Sequence, residues 1–221
     1  MKNTSKIILA LDVEDISSAR YFLNRLYPRV KNFKVGAQLF LACGPGIIQS
    51  INKKGGRVFL DLKLFDIPNT VVNAVRQAIR LKIAMLTLHI SGGDRMLLAA
   101  VAAAREESRR RRLKRPLLLG VTVLTSQEAD PRTVLAMARR GLRCGLDGVV
   151  CSAKEAAFLR SRIKKRFIIV TPGIRPKGMA AADQKRTATA SEAIQAGSNY
   201  LVVGRPILKA ADPLKAVEEL F

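Results

Sequence analysis

The chain of 221 residues contains no tryptophan, one histidine and only 5% aromatic residues. So few aromatics leave little with which to stack nucleic-acid bases. The three cysteines, Cys43, Cys144 and Cys151, form no CxxC pair, and with a single histidine they argue against a zinc site. An odd cysteine count fits a reducing compartment with buried thiols. No apolar run approaches the roughly 20 residues that span a bilayer. The longest, MLLAAVAAA at 96–104, suits a buried helix face. The opening MKNTSKIILALDV breaks at Asp12, short of the roughly 7–15 apolar residues of a signal peptide. A cytoplasmic protein with no membrane partner is expected.

Acidic residues are also scarce. Against 39 Lys and Arg stand 17 Asp and Glu, a net charge of +22. Such a field attracts anionic substrates and raises nucleic acid as a partner. The basic residues, however, are scattered and match no nucleic-acid motif. The densest run, RRRRLKR at 109–115, closes a helical segment, where cations complement the helix dipole. It reads as a solvated face, and no nucleic-acid partner is expected.

Hydrophobic residues make up 48% of the chain, enough for a sizeable core. Short β-branched runs alternate with amphipathic or Ala-rich stretches. Strands are predicted at 6–13, 33–38, 57–64, 85–91, 117–124, 148–152, 167–173 and 200–206. Helices are predicted at 17–27, 44–54, 69–82, 94–112, 131–144, 153–164, 190–196 and 213–220. Eight such units predict an α/β fold, a single-domain (β/α)8 TIM barrel over 1–221. A doubly wound sheet is the alternative. The segment 173–189, GIRPKGMAAADQKRTAT, is long and aperiodic, and is expected to be a mobile loop at the catalytic end.

Within VFLDLKLFDIPNT (58–70), strand alternation puts Asp61 and Lys63 on one face and Leu60, Leu62 and Leu64 on the other. The leucines belong against the helices, so the charged pair faces the barrel interior. Asp12 and Lys34 join it from the first two strands. Two negative and two positive groups nearly cancel, which makes joint burial tolerable. A buried ion-pair network that only fixes strand register is the alternative. Taken alone, Asp66 reads as a helix-start residue, and Asn69 and Thr70 similarly. TPGIRP (171–176) and VVGRPI (202–207) close strands seven and eight. Gly173 and Gly204 with Arg175 and Arg205 there form a phosphate-site pattern, two glycine turns with surface arginines being the alternative. Gln184 offers an amide in the long loop. Thr125 ends strand five within hydrogen-bonding chemistry of a polar ligand. His89 reads as a structural residue rather than a base.

LALDV, FKVG, DLKLFDIPNT, VTVLTS, TPGIRP, DQKR and VVGRPI occur in this order from near residue 7 to near 209. In this the chain resembles the orotidine 5′-phosphate decarboxylase family. DxKxxD is shared across a wider superfamily, and DIPNT points to this member. The resemblance implies a cofactor-free, metal-free homodimer converting orotidine 5′-phosphate to uridine 5′-phosphate and carbon dioxide in pyrimidine biosynthesis. It makes Lys63 the proton donor and sets Asp61 beside the substrate carboxylate. Lys34 and Asp12 would contact the ribose. Asp66 and Thr70 would reach into the partner subunit's site. Thr125 would contact the pyrimidine, and Gln184, Gly204 and Arg205, with Arg175 nearby, would hold the phosphate. Two other readings stand beside it: a metal-dependent sugar-phosphate enzyme of the same superfamily, and a basic barrel that holds RNA.

Overall fold

Eight parallel strands close on one another in sequence order, each hydrogen-bonded to the next and the eighth to the first. This computed structural model describes residues 4–124, 130–176 and 187–221. The strands are β1 (Ile7–Ala10), β2 (Asn32–Gly36), β3 (Arg57–Leu64), β4 (Met85–His89), β5 (Leu117–Val121), β6 (Gly148–Val150), β7 (Ile168–Thr171) and β8 (Tyr200–Val203). Around them run α1 (Ile16–Leu26), α2 (Ala37–Cys43), α3 (Pro45–Lys54), α4 (Pro68–Arg80) and α5 (Gly93–Arg111). The second half adds α6 (Pro131–Arg143), α7 (Ala153–Arg162), α8 (Ala190–Gln195), α9 (Arg205–Leu208) and α10 (Pro213–Glu218). The fold is the (β/α)8 barrel that the alternation predicts.

The helix starts follow local chemistry. Proline, which lacks the N–H that a first turn cannot use, opens α3, α4, α6 and α10. Ser152 with Glu155, and Thr189 with Glu192, form reciprocal capping boxes on α7 and α8. Asp15 accepts from the Ser18 N–H at the start of α1.

Two apolar layers hold the barrel. Ile8, Ala10, Phe59, Met85, Leu119, Val170 and Val202 fill its interior. Their sequence neighbours, such as Ile7, Leu9, Val58 and Leu60, face outward against the helices. Each fully buried Leu, Ile or Phe contributes about 1.5–3 kcal/mol, so strands apolar on both faces are the physical signature of this architecture.

Several predicted boundaries shift. Most strands are shorter at their C-terminal ends, where the chain turns to build the mouth of the barrel. Residues 37–43 form a helix, α2, and Gly44 at φ 55° separates it from α3. The four-residue α9 directly follows β8, inside a stretch expected to be strand. Helix α4 starts at Pro68 with Ile67 as its cap, so Asp66 does not cap it. Asp66 accepts instead from the adjacent Ile67 N–H at 2.6 Å.

Candidate active site

At the C-terminal end of the strands lies a cavity of about 570 Å³. Ala10, Phe59 and Val202 from the interior layer form part of its lining. Above them, four charges alternate in sign. Lys34 Nζ donates to Asp12 Oδ1 at 2.9 Å and lies 3.7 Å from Asp61 Oδ2. Lys63 Nζ donates to both Asp61 oxygens at 3.0 Å. Asp61 and Lys34 are the enclosed members, with side chains 13% and 12% exposed; Lys63 is 39% exposed. The inner carboxylate is thus held between two ammonium groups, which makes its burial tolerable.

Alternation alone does not deliver this geometry. Leu60 pairs with Leu86 while Leu64 pairs with Leu88, so four residues of β3 face a two-residue step on β4. The bulge is resolved at Lys63, whose φ is 49°. A left-handed lysine carries a backbone cost, and such sites persist only where the surroundings hold them. The holding group is Thr87. Its Oγ1 accepts from the Lys63 N–H at 2.8 Å and its hydroxyl donates to Asp61 Oδ1 at 3.0 Å. Thr87 is fully buried and was not among the expected site residues. Its one legible signal is a hydroxyl in the otherwise apolar strand MLTLH. The three leucines do pack outward as expected, in contact with the helix layer.

Gly36 keeps room beside the array. A side-chain carbon at that position would sit 3.1 Å from Lys34 Nζ and 3.7 Å from Asp12 Oδ1.

The other end of the cavity is cationic. Pro172, Gly173, Arg175, Gly204, Arg205 and Lys209 line it. Gly173 has φ 78°, a turn favouring glycine. Arg175 is buried and donates Nη1 to the Ile174 carbonyl at 2.9 Å. The segment expected to form a loop is pinned at its base: Arg175 N–H donates to Ala188 O, and Ala188 N–H to Gly173 O. Lys209, just beyond α9, adds a cation that had not been singled out. The expected residues Thr125 and Gln184 lie outside the described residues; Leu124, which precedes Thr125, lines the cavity.

Asp66 and Thr70 do not enter this cavity. With Leu62, Lys63, Leu64 and Phe65 they border a separate hollow of about 300 Å³ on the flank of the barrel. Phe65 and Ile67 beside them are 64% and 66% exposed. His89 stands next to Phe65, ring centroids 5.6 Å apart, and its buried Nδ1 has no partner among the described residues. Burial, and then the charge of Lys63, lowers the His89 pKa and favours the neutral ring. Among the described residues no three His, Cys, Asp or Glu side chains are grouped to hold a metal ion.

A barrel with alternating carboxylate and ammonium groups and two arginines in one cavity at this face has the layout of a (β/α)8 enzyme, which builds its active site there. The family model for "Orotidine 5'-phosphate decarboxylase / HUMPS family" matches residues 5–220, and the chain belongs to this family. It is 44% identical to the orotidine 5'-phosphate decarboxylase of Coxiella burnetii (strain RSA 331 / Henzerling II), with 99% of this chain and 96% of the relative covered. It is equally 44% identical to that of Vibrio cholerae serotype O1 (strain ATCC 39541 / Classical Ogawa 395 / O395), covering 99% and 97%. The crystal structure of orotidine 5'-phosphate decarboxylase from Lactobacillus acidophilus superposes with a TM-score of 0.85 at 35% identity, over 98% of this chain and 97% of that one.

Proposed function

We propose that the chain decarboxylates orotidine 5′-phosphate to uridine 5′-phosphate, using no cofactor, with Lys63 as the proton donor. The observation that carries this reading is the alternating Asp12–Lys34–Asp61–Lys63 chain opposite an arginine-lined end of one cavity. In the proposed step the bond from ring carbon 6 to the carboxylate breaks, and carbon dioxide leaves without the bonding pair. That pair stays on carbon 6. The Lys63 ammonium, fixed beside the carbon, stabilises the developing charge and then transfers its proton there. Lys63 is reprotonated from solvent after the product is formed.

Asp61 holds the Lys63 side chain through two hydrogen bonds and stands beside the substrate carboxylate. Lys34 and Asp12 meet the ribose hydroxyls, and Thr125 the pyrimidine. Arg175, Arg205, the Gly204 backbone and Gln184 receive the phosphate, with the 173–189 segment closing over it. Phosphate binding energy, far from carbon 6, then supports the reacting geometry. Asp66 and Thr70 serve the neighbouring active site of a homodimer. Their position on the flank, outside their own cavity and beside exposed Phe65 and Ile67, supports that assignment.

The test is turnover of orotidine 5′-phosphate in the presence of excess chelator, with the product identified as uridine 5′-phosphate. Undiminished turnover is expected. Loss of activity with chelator, restored by a divalent metal, would favour a sugar-phosphate enzyme of the same family instead.

A further inference from the structure

In a closed parallel barrel every helix-to-strand connection emerges at the end opposite the active site. That rule sorts the charge of this chain. Lys53 and Lys54 end α3, Arg80 ends α4, and Arg109, Arg110 and Arg111 end α5. The connections that follow continue the series. Lys31 precedes β2, Arg57 opens β3 and Lys82 precedes β4. Arg112 and Lys114 precede β5, while Lys164, Lys165 and Arg166 precede β7. These connection residues are all exposed.

The acids near this end are already taken. Glu107 accepts from Arg80, Arg110 and Arg111, Asp147 from Arg115, and Glu218 from Arg29. Lys53, Lys54, Arg57, Lys82, Arg112, Lys114 and the 164–166 cluster form no ion pair among the described residues. At the catalytic end, by contrast, Asp12 and Asp61 pair with Lys34 and Lys63. Among the described residues, nine exposed cations without an ion pair therefore lie on the face that the proposed chemistry does not use.

Helix capping does not account for it. The dipole interaction fades within the last turn, and Arg112, Lys114 and Lys164–Arg166 lie beyond the helix ends. Exposed cations with no acidic partner among the described residues leave a positive field that attracts a polyanion. Against the expectation from the sequence of no nucleic-acid partner, we propose that this end of the barrel binds nucleic acid through the phosphate backbone, without reading bases. Arginine forks match phosphate oxygens. The cations are spread over five connections, those before β2, β3, β4, β5 and β7, rather than gathered in a pocket, which fits an extended polyanion. Of the exposed large apolar residues among the described residues, only Phe221 lies near these connections, so the described residues offer neither a stacking platform nor a bilayer-inserting wedge. The mouth of the active site stays open on the opposite face.

Fluorescence anisotropy with a labelled single-stranded RNA and a labelled DNA duplex, titrated over salt, tests this. Binding of both is expected, with Kd of about 10⁻⁴–10⁻⁶ M at physiological salt and a linear fall of log affinity with log salt. The combined Lys53→Glu, Lys54→Glu, Lys164→Glu and Lys165→Glu variant should bind at least about tenfold more weakly, with a duplex salt slope shallower by about 3. An Arg112→Glu, Lys114→Glu variant should move the same way by less. Both should keep wild-type turnover of orotidine 5′-phosphate, which also shows that they are folded. No binding by the wild type, unchanged binding by both variants, or tighter binding to polyglutamate or phosphatidylserine vesicles than to either nucleic acid overturns the proposal.

Discussion

Thr87 joins the backbone of one charged residue to the side chain of another. One hydroxyl accepts the Lys63 N–H and donates to Asp61, so it sets both the left-handed turn at Lys63 and the orientation of the carboxylate. Thr87→Val keeps the shape and removes both bonds. Leaving a buried partner unsatisfied costs about 1–3 kcal/mol. Expressed in the transition state, that is a fall in kcat of about 5–150-fold. KM should change little, because the proposed phosphate and ribose contacts lie elsewhere, and Thr87→Ser should recover most of the rate. Steady-state kinetics of the three proteins decide it; a change confined to KM, or no rescue by serine, contradicts this role.

At the scale of elements, α5 carries a buried carboxylate with a structural task. Glu107 is 1% exposed and binds Arg80 of α4 and Arg110 and Arg111 of its own helix. The hydrogen bonds from Arg80 and then Arg110 lower its pKa from 4.5 to about 2. A depressed carboxyl stabilises the fold above its unfolded pKa and loses that contribution as pH falls through the folded value. Wild type should therefore melt above Glu107→Gln at neutral pH, and the gap should close between pH 4.5 and about 2. Thermal melts across that range measure it; a gap independent of pH contradicts the account.

Part of the run RRRRLKR thus does internal work that its composition concealed. The same contrast runs through the fold. The alternation of β-branched runs and amphipathic stretches made the barrel legible, and DLKLFDIPNT made Asp61 and Lys63 legible as an inward pair. Thr87 was not, because a register shift between β3 and β4 depends on tertiary pairing that no local pattern encodes. Helix α2 was missed because the apolar run after Gly36 has no start signal beyond glycine itself. Lys209 became visible only once α9 bent the chain back over the cavity.

At the scale of the whole molecule, the charge array is proposed to need two chains. A two-fold dimer is isologous, so each site would take Lys63 from one subunit and Asp66 from the other. Lys63→Ala and Asp66→Ala homodimers should each be nearly inactive. Mixed and re-equilibrated, they should regain about a quarter of wild-type turnover, since half the dimers are hybrid and one of their two sites is intact. No recovery on mixing would place Asp66 outside the partner's site. The central claim remains that the Lys63 ammonium carries the chemistry at carbon 6. The direct measurement is the loss of orotidine 5′-phosphate absorbance for wild type and Lys63→Ala at saturating substrate. The account predicts an active wild type and a kcat lower by more than about 10³-fold in the variant. An undiminished Lys63→Ala enzyme, or an inactive wild type, would contradict it.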